Sequence, residues 1–152
     1  MQKITPFLMF NDRAGEAMEF YTSIFKDSTI VSTMPGPDGK VMGGSIEIEG
    51  QRINCFDGGP KFSFSQGISL MVRAETQEEI DHLYEGLSEG GKQERCSWLD
   101  DKFGVSWQIV PPILMQLLGD PDREKAGRVM NAMFKMTKII IADLETAAAA
   151  TE

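Results

Sequence analysis

The chain has 152 residues, 41% of them apolar, and a formal net charge of −8. This is the length of one ordinary globular domain, and it suffices to bury a core without disulfides or structural metals. No apolar run approaches the ~18 residues of a membrane span, and the first residues lack the layout of a signal peptide. An acidic surface repels nucleic-acid phosphates. We therefore expect a single cytoplasmic domain over residues 1–152 that binds neither membranes nor nucleic acid.

The few histidine and cysteine residues restrict the chemistry. The one histidine, His82, lies in a charged helical stretch, which favours an exposed helix surface over a catalytic base. One imidazole cannot supply the two or three ligands of a histidine-based metal site. Cys55 and Cys96 form no CxxC pair, so cysteine-rich zinc sites are excluded and buried free thiols are expected.

The first part of the chain predicts a strand, a helix and three further strands. Apolar residues recur at helical spacing after a buried strand, and β-rich segments with turn residues between them follow. The predicted elements are a strand over 5–10, a helix over 13–25 with Asn11–Asp12 as N-cap, and strands over 29–34, 41–49 and 52–57.

The second part repeats this order, and helices follow it. Phe7–Phe10 aligns with Ser69–Val72, which indicates a duplicated βαβββ module. The predicted elements are a strand over 68–72, a helix from a Thr76/Glu79 capping box to Gly90–Gly91, strands over 92–99 and 105–110, and helices over 113–118 and 120–136. Ile139–Ile141 favours a strand by propensity, but the residues after it favour a helix, and residues 147–152 are expected to fray. The predicted parts are module one (1–58), a linker (59–66), module two (67–111) and a C-terminal helical extension (112–152).

Three segments resemble one known family. Gly90–Lys92, Trp98–Pro111 and Val129–Met136 resemble the PhnB-like branch of the vicinal-oxygen-chelate (glyoxalase/bleomycin resistance/extradiol dioxygenase) superfamily, a branch also called demethylubiquinone methyltransferase-like. The resemblance implies an α+β fold in which two βαβββ modules form a curved, barrel-like mixed sheet around a ligand pocket, with C-terminal helices added. Glyoxalases and extradiol dioxygenases hold a divalent metal in that pocket.

The resemblance places the metal-ligand positions of this superfamily at Thr5, Gly67, Gln108 and either Asn54 or Cys55. Glycine has no side chain, and threonine, asparagine and glutamine are weak neutral ligands. We therefore predict no metal. No glycine-rich strand–loop–helix precedes an acidic residue, so no nucleotide-type cofactor is indicated.

Strand alternation, started from those positions, selects a mostly apolar lining for the pocket. Gln108 is the expected main polar contact of a neutral or weakly polar organic ligand. Glu47 is the candidate general base if its strand face turns inward, and no catalytic residue is assigned. The predicted lining is Thr5, Phe7, Met9, Glu47, Cys55, Ser69, Met71, Trp98 and Gln108.

Two other aromatic and acidic positions are expected to be structural. Trp107 is assigned to the core, whereas Trp98 fits the core and the pocket equally well. Asp101 is expected to fix a turn through backbone hydrogen bonds.

The leading hypothesis is a small-molecule-binding protein, with or without catalysis, that has no metal of its own. The alternatives are a metal-dependent glyoxalase- or dioxygenase-like enzyme, the methyltransferase of the older family name, and a non-catalytic dimeric scaffold. The resemblance also implies a homodimer, and Met130, Met133, Phe134 and Met136 crowd one late helix.

Overall fold

The computed structural model describes residues 2–150, which divide into one compact unit that ends at Phe64 and a second that begins at Ser65. The first unit contains β1 (Phe7–Phe10), α1 (Ala14–Ile24), β2 (Ser28–Pro35), β3 (Val41–Ile48) and β4 (Gln51–Asp57). The second contains β5 (Leu70–Arg73), α2 (Gln77–Ser88), β6 (Lys92–Gln93), β7 (Trp98–Asp100), β8 (Ser106–Val110), α3 (Pro112–Leu118), α4 (Arg123–Phe134) and α5 (Ile141–Ala149).

The first unit is one four-stranded sheet with a helix on one face. Its strand order is β1-β4-β3-β2, with β1 parallel to β4 and the other pairs antiparallel. β3 and β4 are joined by the two-residue loop Glu49–Gly50, in which both residues have positive φ (49° and 81°). Such a loop matches the twist of a hairpin. The apolar face of α1 packs against the sheet through Ala14, Ala17, Met18 and Tyr21, all of which are buried.

The start of α1 differs from the sequence prediction. Its N-cap residue is Arg13, and Asn11–Asp12 does not cap it. The Asp57 carboxylate at the end of β4 caps the helix instead, because the Ala14 backbone N–H donates to Asp57 Oδ1 at 2.8 Å. A negative charge at a helix N-terminus is favourable, so this contact ties α1 to β4 across 43 residues of sequence.

The second unit repeats the topology of the first, with strand order β5-β8-β7-β6. The predicted capping box is confirmed in its first half, because Glu79 N donates to Thr76 Oγ1 at 3.1 Å. The predicted strand over 92–99 is divided into β6 and β7 by a turn in which Cys96 and Ser97 both have positive φ (59° and 61°).

The C-terminal helices pack on one another around their own apolar cluster. That cluster consists of Val110, Leu114, Val129, Ile139 and Leu144, with Met133 and Met136 packed against it. Ile139 and Ile140 form no strand, and α5 begins at Ile141 and continues to Ala149, so the predicted fraying is not seen up to that residue. Residues 151–152 lie outside the described part of the chain.

Both predicted βαβββ modules are confirmed, as is the α+β class. The expected single barrel-like sheet is instead a pair of separate four-stranded mixed sheets, neither of which closes on itself. Over residues 2–150, every helix is too short or too polar to span a bilayer.

Candidate functional site

The open face of the second sheet carries four predicted site residues, which come from three segments that are neighbours in the sheet. They are Ser69, Met71, Trp98 and Gln108. This face is the one opposite α2, whose buried Ile80 and Leu83 cover the other side. β8 lies between β5 and β7, and Gln108 stands opposite Met71 on one neighbour and Trp98 on the other. Because directly opposed residues share a face, these three side chains lie side by side.

The Gln108 amide is held by the residue that precedes β5. Its Nε2 donates to the Ser69 hydroxyl at 2.9 Å. Over residues 2–150, neither Gln108 Oε1 nor the indole N–H of Trp98 has a hydrogen-bond partner. Met71 is 63% exposed. The face therefore presents the uncommitted amide oxygen of Gln108 and the uncommitted indole N–H of Trp98 next to the thioether of Met71.

A second polar group on this face was not identified from the sequence. Asp100 accepts hydrogen bonds from the Ser106 hydroxyl (2.8 Å) and from Gln66 Nε2 (3.0 Å). Asp100 lies opposite Ser106 in the sheet, two residues from Trp98 and on the same face. Because residues two apart in a strand share a face, alternation from Trp98 would have placed Asp100 beside the site.

The neighbouring Asp101 is structural, as predicted. It is buried, and its Oδ1 accepts from the backbone N–H groups of Phe103 (2.9 Å) and Val105 (3.0 Å). Its Oδ2 accepts from the indole Nε1 of Trp107 at 2.9 Å. Trp107 is 2% exposed on the helix-covered face, so its assignment to the core is confirmed. The predicted exposure of His82 on α2 is confirmed as well.

In the first unit, the open face brings together Phe7, Met9 and Glu47. Phe7 lies opposite Asn54, and through β3 the same face continues to Ser45 and Glu47. The Ser45 hydroxyl donates to Asn54 Oδ1 at 2.6 Å. The candidate base Glu47 forms an ion pair with Arg52 at 3.4 Å. Thr5 precedes β1 and is half-buried.

Cys55 is separated from these residues. It lies opposite Leu8 and Gly44, on the face that α1 covers, and only 2% of it is exposed. Burial raises the pKa of its thiol to about 12. The structure thus corrects its assignment to the pocket lining, and its register places Asn54 on the open face. Cys96 lies in the turn before β7 with its Sγ 3.6 Å from the Met133 carbonyl, and burial raises its pKa too.

Phe56 in the first sheet occupies the position that corresponds to Gln108 in the second sheet. Gln108 is opposed by Met71 and Trp98, and in the first unit Phe56 is opposed in the same way by Met9 and Gly43. The position that carries an amide in the second sheet therefore carries a phenyl ring in the first.

The donors on these faces do not fit a divalent metal. Gly67 has no side chain, Glu47 is paired with Arg52, and Asp100 is already hydrogen-bonded. Over residues 2–150, no three side chains of His, Cys, Asp or Glu converge. The prediction of a metal-free protein rests on this donor chemistry and stays a prediction.

A groove of about 380 Å³ lies elsewhere in the first unit, beside α1 and the β2–β3 hairpin. None of the nine predicted residues lines it. Glu16 on its rim is paired with Arg13 at 2.9 Å. Its lining is Asp12, Gly15, Glu16, Met18, Glu19, Ile30, Thr33, Lys40 and Val41.

Comparison with known proteins gives one matching family. The model of that family, described as 3-demethylubiquinone-9 3-methyltransferase, matches residues 2–110. A PhnB protein of Bacillus cereus is 39% identical, with 72% of this chain and 99% of that chain covered and a TM-score of 0.67. The match ends before α3, so the segment Val129–Met136 lies outside it. No curated protein matches this chain.

More distant structures share the fold. Protein PA1353 of Pseudomonas aeruginosa is 21% identical, with 73% of this chain and 98% of that chain covered and a TM-score of 0.62. The fosfomycin resistance protein FosX of Listeria monocytogenes, solved with Mn(II) and a dihydroxypropylphosphonic acid, is 14% identical, with 72% and 92% covered and a TM-score of 0.55.

Proposed function

The chain belongs to the 3-demethylubiquinone-9 3-methyltransferase family, the PhnB-like branch of the vicinal-oxygen-chelate superfamily, and from this premise we propose that it binds a small organic molecule on the open face of its second sheet. The observation that carries the proposal is the position of Gln108 between Met71 and Trp98, with a free amide oxygen beside a free indole N–H. A few convergent polar groups among apolar side chains are typical of small-molecule sites.

The chemistry of this face selects the class of ligand. An aromatic ring and a thioether favour a flat apolar body, while the Gln108 amide oxygen and the Trp98 indole N–H suit a hydroxyl next to a carbonyl. The net charge of −8 disfavours anions at long range. A neutral hydroxylated quinone has these features, and the family name supports a short-chain demethylubiquinone analogue as the first probe.

Methyl transfer would also need a site for a methyl donor. Gly36–Gly39 forms the β2–β3 hairpin loop, in which Gly36 N donates to Lys40 O at 2.7 Å. Gly58–Pro60 follows β4 and leads into the segment before β5. Neither segment joins a strand to a helix, so we propose binding without methyl transfer. Incubation with S-adenosylmethionine and the quinone probe should give no methylated product.

The proposal is tested by native mass spectrometry of the purified protein. Wild type should retain, or bind from a panel that includes the quinone probe, one neutral molecule per chain. Gln108→Ala should weaken that binding by about 1–3 kcal/mol, because the ligand group loses its partner. Gln116→Ala, an exposed glutamine on α3, is the matched control and should bind as wild type does. Equal binding by both variants would refute the assignment.

We also propose that the chain forms a homodimer. Met133 and Met136 pack on their own cluster, but Met130 and Phe134 on α4 are 38% and 52% exposed. Exposed apolar residues on one helix suit a second copy of the same surface. Light scattering should give twice the 16.9 kDa chain mass, and Phe134→Ser should lower it. A wild-type monomer at micromolar concentration would contradict the dimer.

We propose the cytoplasm as the location, and the unpaired thiols of Cys55 and Cys96 support it, since reducing compartments keep thiols free. Cell fractionation with a specific antibody would place the protein, and recovery from an oxidising compartment would contradict the proposal.

A further inference from the structure

The C-terminal extension contacts the turn that leads into the proposed binding face. Cys96 N donates to Met136 O at 3.0 Å, and Ser97 N donates to Thr137 O at 2.7 Å. In return, Ile139 N donates to the Ser97 hydroxyl at 2.8 Å. Ser97 is fully buried. Three hydrogen bonds thus join two consecutive turn residues to the segment between α4 and α5.

This turn has an unusual backbone. Cys96 and Ser97 are consecutive non-glycine residues in the left-handed region, with φ of 59° and 61°. Such conformations persist only where the surroundings hold them. The bonds from the extension supply that constraint, since they use both backbone N–H groups and the Ser97 side chain.

The Cys96–Ser97 turn also determines where Trp98 lies. Ser97 O accepts from Ile109 N at 3.0 Å, next to Gln108, and Trp98 N donates to Arg95 O at 3.0 Å. Trp98 is the first residue of β7 and stands opposite Gln108. A change at Cys96 or Ser97 would therefore move the indole relative to the amide.

The extension is itself fastened to α2. Gln77 Nε2 donates to Ile139 O at 3.0 Å, and Gln77 Oε1 accepts from Ile141 N at 2.8 Å. Lys138 forms ion pairs with Asp81 at 2.8 Å and Glu85 at 3.1 Å. Gln77 thus bonds the backbone on both sides of Ile140, and the neighbouring Ile139 side chain is buried in the cluster of the extension.

From these contacts we infer that the extension is a positioning element for the binding face, in which Gln77 and Ser97 hold the Cys96–Ser97 turn so that Trp98 stands beside Gln108. The family match covers residues 2–110, so this element lies outside the matched part of the chain. The inference rests on the proposed function for its purpose, but the position of Trp98 is measurable without any ligand.

The test uses the full-length chain and the fluorescence of Trp98. Trp98→Phe leaves only the buried Trp107 and supplies the baseline. Gln77→Ala and Ser97→Ala should raise acrylamide quenching of the Trp98 signal towards that of free tryptophan, while the Trp107 signal in the Trp98→Phe background stays unchanged. Amide exchange at Cys96 and Ser97 should become about fivefold to tenfold faster, as expected for the loss of one hydrogen bond. Glu78→Ala, exposed on the same turn of α2, is the control.

Gln77→Glu keeps the acceptor for Ile141 N, but it loses the Nε2 donor to Ile139 O and to Asp81 Oδ1 and places a carboxylate beside that of Asp81. Its Trp98 quenching should exceed that of wild type, and it replaces Gln77→Ala in the test if Gln77→Ala does not fold. Unchanged Trp98 quenching in folded Gln77→Glu and Ser97→Ala would overturn the inference, and so would equal changes at Trp98 and Trp107. If the variants show the predicted quenching but wild type binds no ligand, only the proposed function would be refuted.

Discussion

The indole N–H of Trp107 donates a 2.9 Å hydrogen bond to the buried carboxylate of Asp101, six residues earlier in the chain. The other oxygen of Asp101 holds the turn between β7 and β8. One carboxylate thus fixes both the turn and the core tryptophan, and it sets the register in which β8 presents Gln108 on the opposite face.

Asp101→Ala should lower the free energy of unfolding by about 3 kcal/mol, because three N–H donors lose their acceptor. Asp101→Asn keeps one oxygen for the turn but presents an NH₂ group to the indole, so its cost should be about 1–2 kcal/mol. Urea unfolding measures both. Asp27→Ala, an exposed aspartate, is the control and should change stability by less than about 0.5 kcal/mol. Equal stability of all three variants would contradict this role.

The sequence predicted the element order well because hydrophobic periodicity and turn residues are local signals. The predictions were wrong where contacts between residues far apart in the sequence determine the local structure. The N-cap of α1 was misplaced because Asp57, 43 residues away, supplies the oxygen. The break between β6 and β7 was missed because bonds from Met136 and Thr137 hold Cys96 and Ser97 in left-handed conformations. Alternation along a strand does not determine how that strand is paired with its neighbours. The pattern therefore placed Cys55 on the open face, whereas it lies on the face that α1 covers.

The Lys138–Asp81 ion pair should contribute a pH-dependent stability. Hydrogen bonds from Lys138 and Gln77 lower the Asp81 pKa, and the bond to Asp81 raises the Lys138 pKa. The Asp81 contribution is therefore present at neutral pH and is lost as the pH falls below about 4. The Lys138 contribution is lost as the pH rises above about 10.5.

Lys138→Met should remove this contribution, and the difference from wild type should stay below about 1 kcal/mol because both side chains are partly exposed. Urea midpoints between pH 3 and pH 11 measure the difference. It should be constant near neutrality and smaller at both extremes; a difference that grows in acid would contradict the assignment.

Cys55 should be inert in the folded protein. Its pKa of about 12, against the ordinary 9.0, lowers the thiolate fraction about a thousandfold, and the thiolate is the reactive form. In Cys96→Ser, labelling with Ellman's reagent at pH 8 should be very slow in buffer and fast in guanidinium chloride. Rapid labelling of the folded variant would show that Cys55 faces solvent.

The protein should bind no stoichiometric divalent metal. Gly67 has no side chain and Gln108 offers only a neutral amide, whereas transition metals prefer carboxylate and imidazole ligands, and Asp100 is already bonded to Ser106 and Gln66. Calorimetric titration with zinc, nickel and manganese after dialysis measures this, and the Gln108→Glu variant is the informative comparison. Tight one-to-one binding by wild type that Gln108→Ala abolishes would contradict the donor argument.

The central claim is that a ligand contacts Trp98 and Gln108, and the indole N–H resonances of the two tryptophans test it most directly. In a nitrogen-15-labelled sample, Trp98→Phe assigns the two signals. On addition of the short-chain demethylubiquinone analogue, or of the molecule retained on purification, the Trp98 signal should shift and the Trp107 signal should stay in place. Gln108→Ala should need a higher ligand concentration for the same shift. Saturable binding that leaves the Trp98 signal unmoved, or that Gln108→Ala does not weaken, would contradict the account.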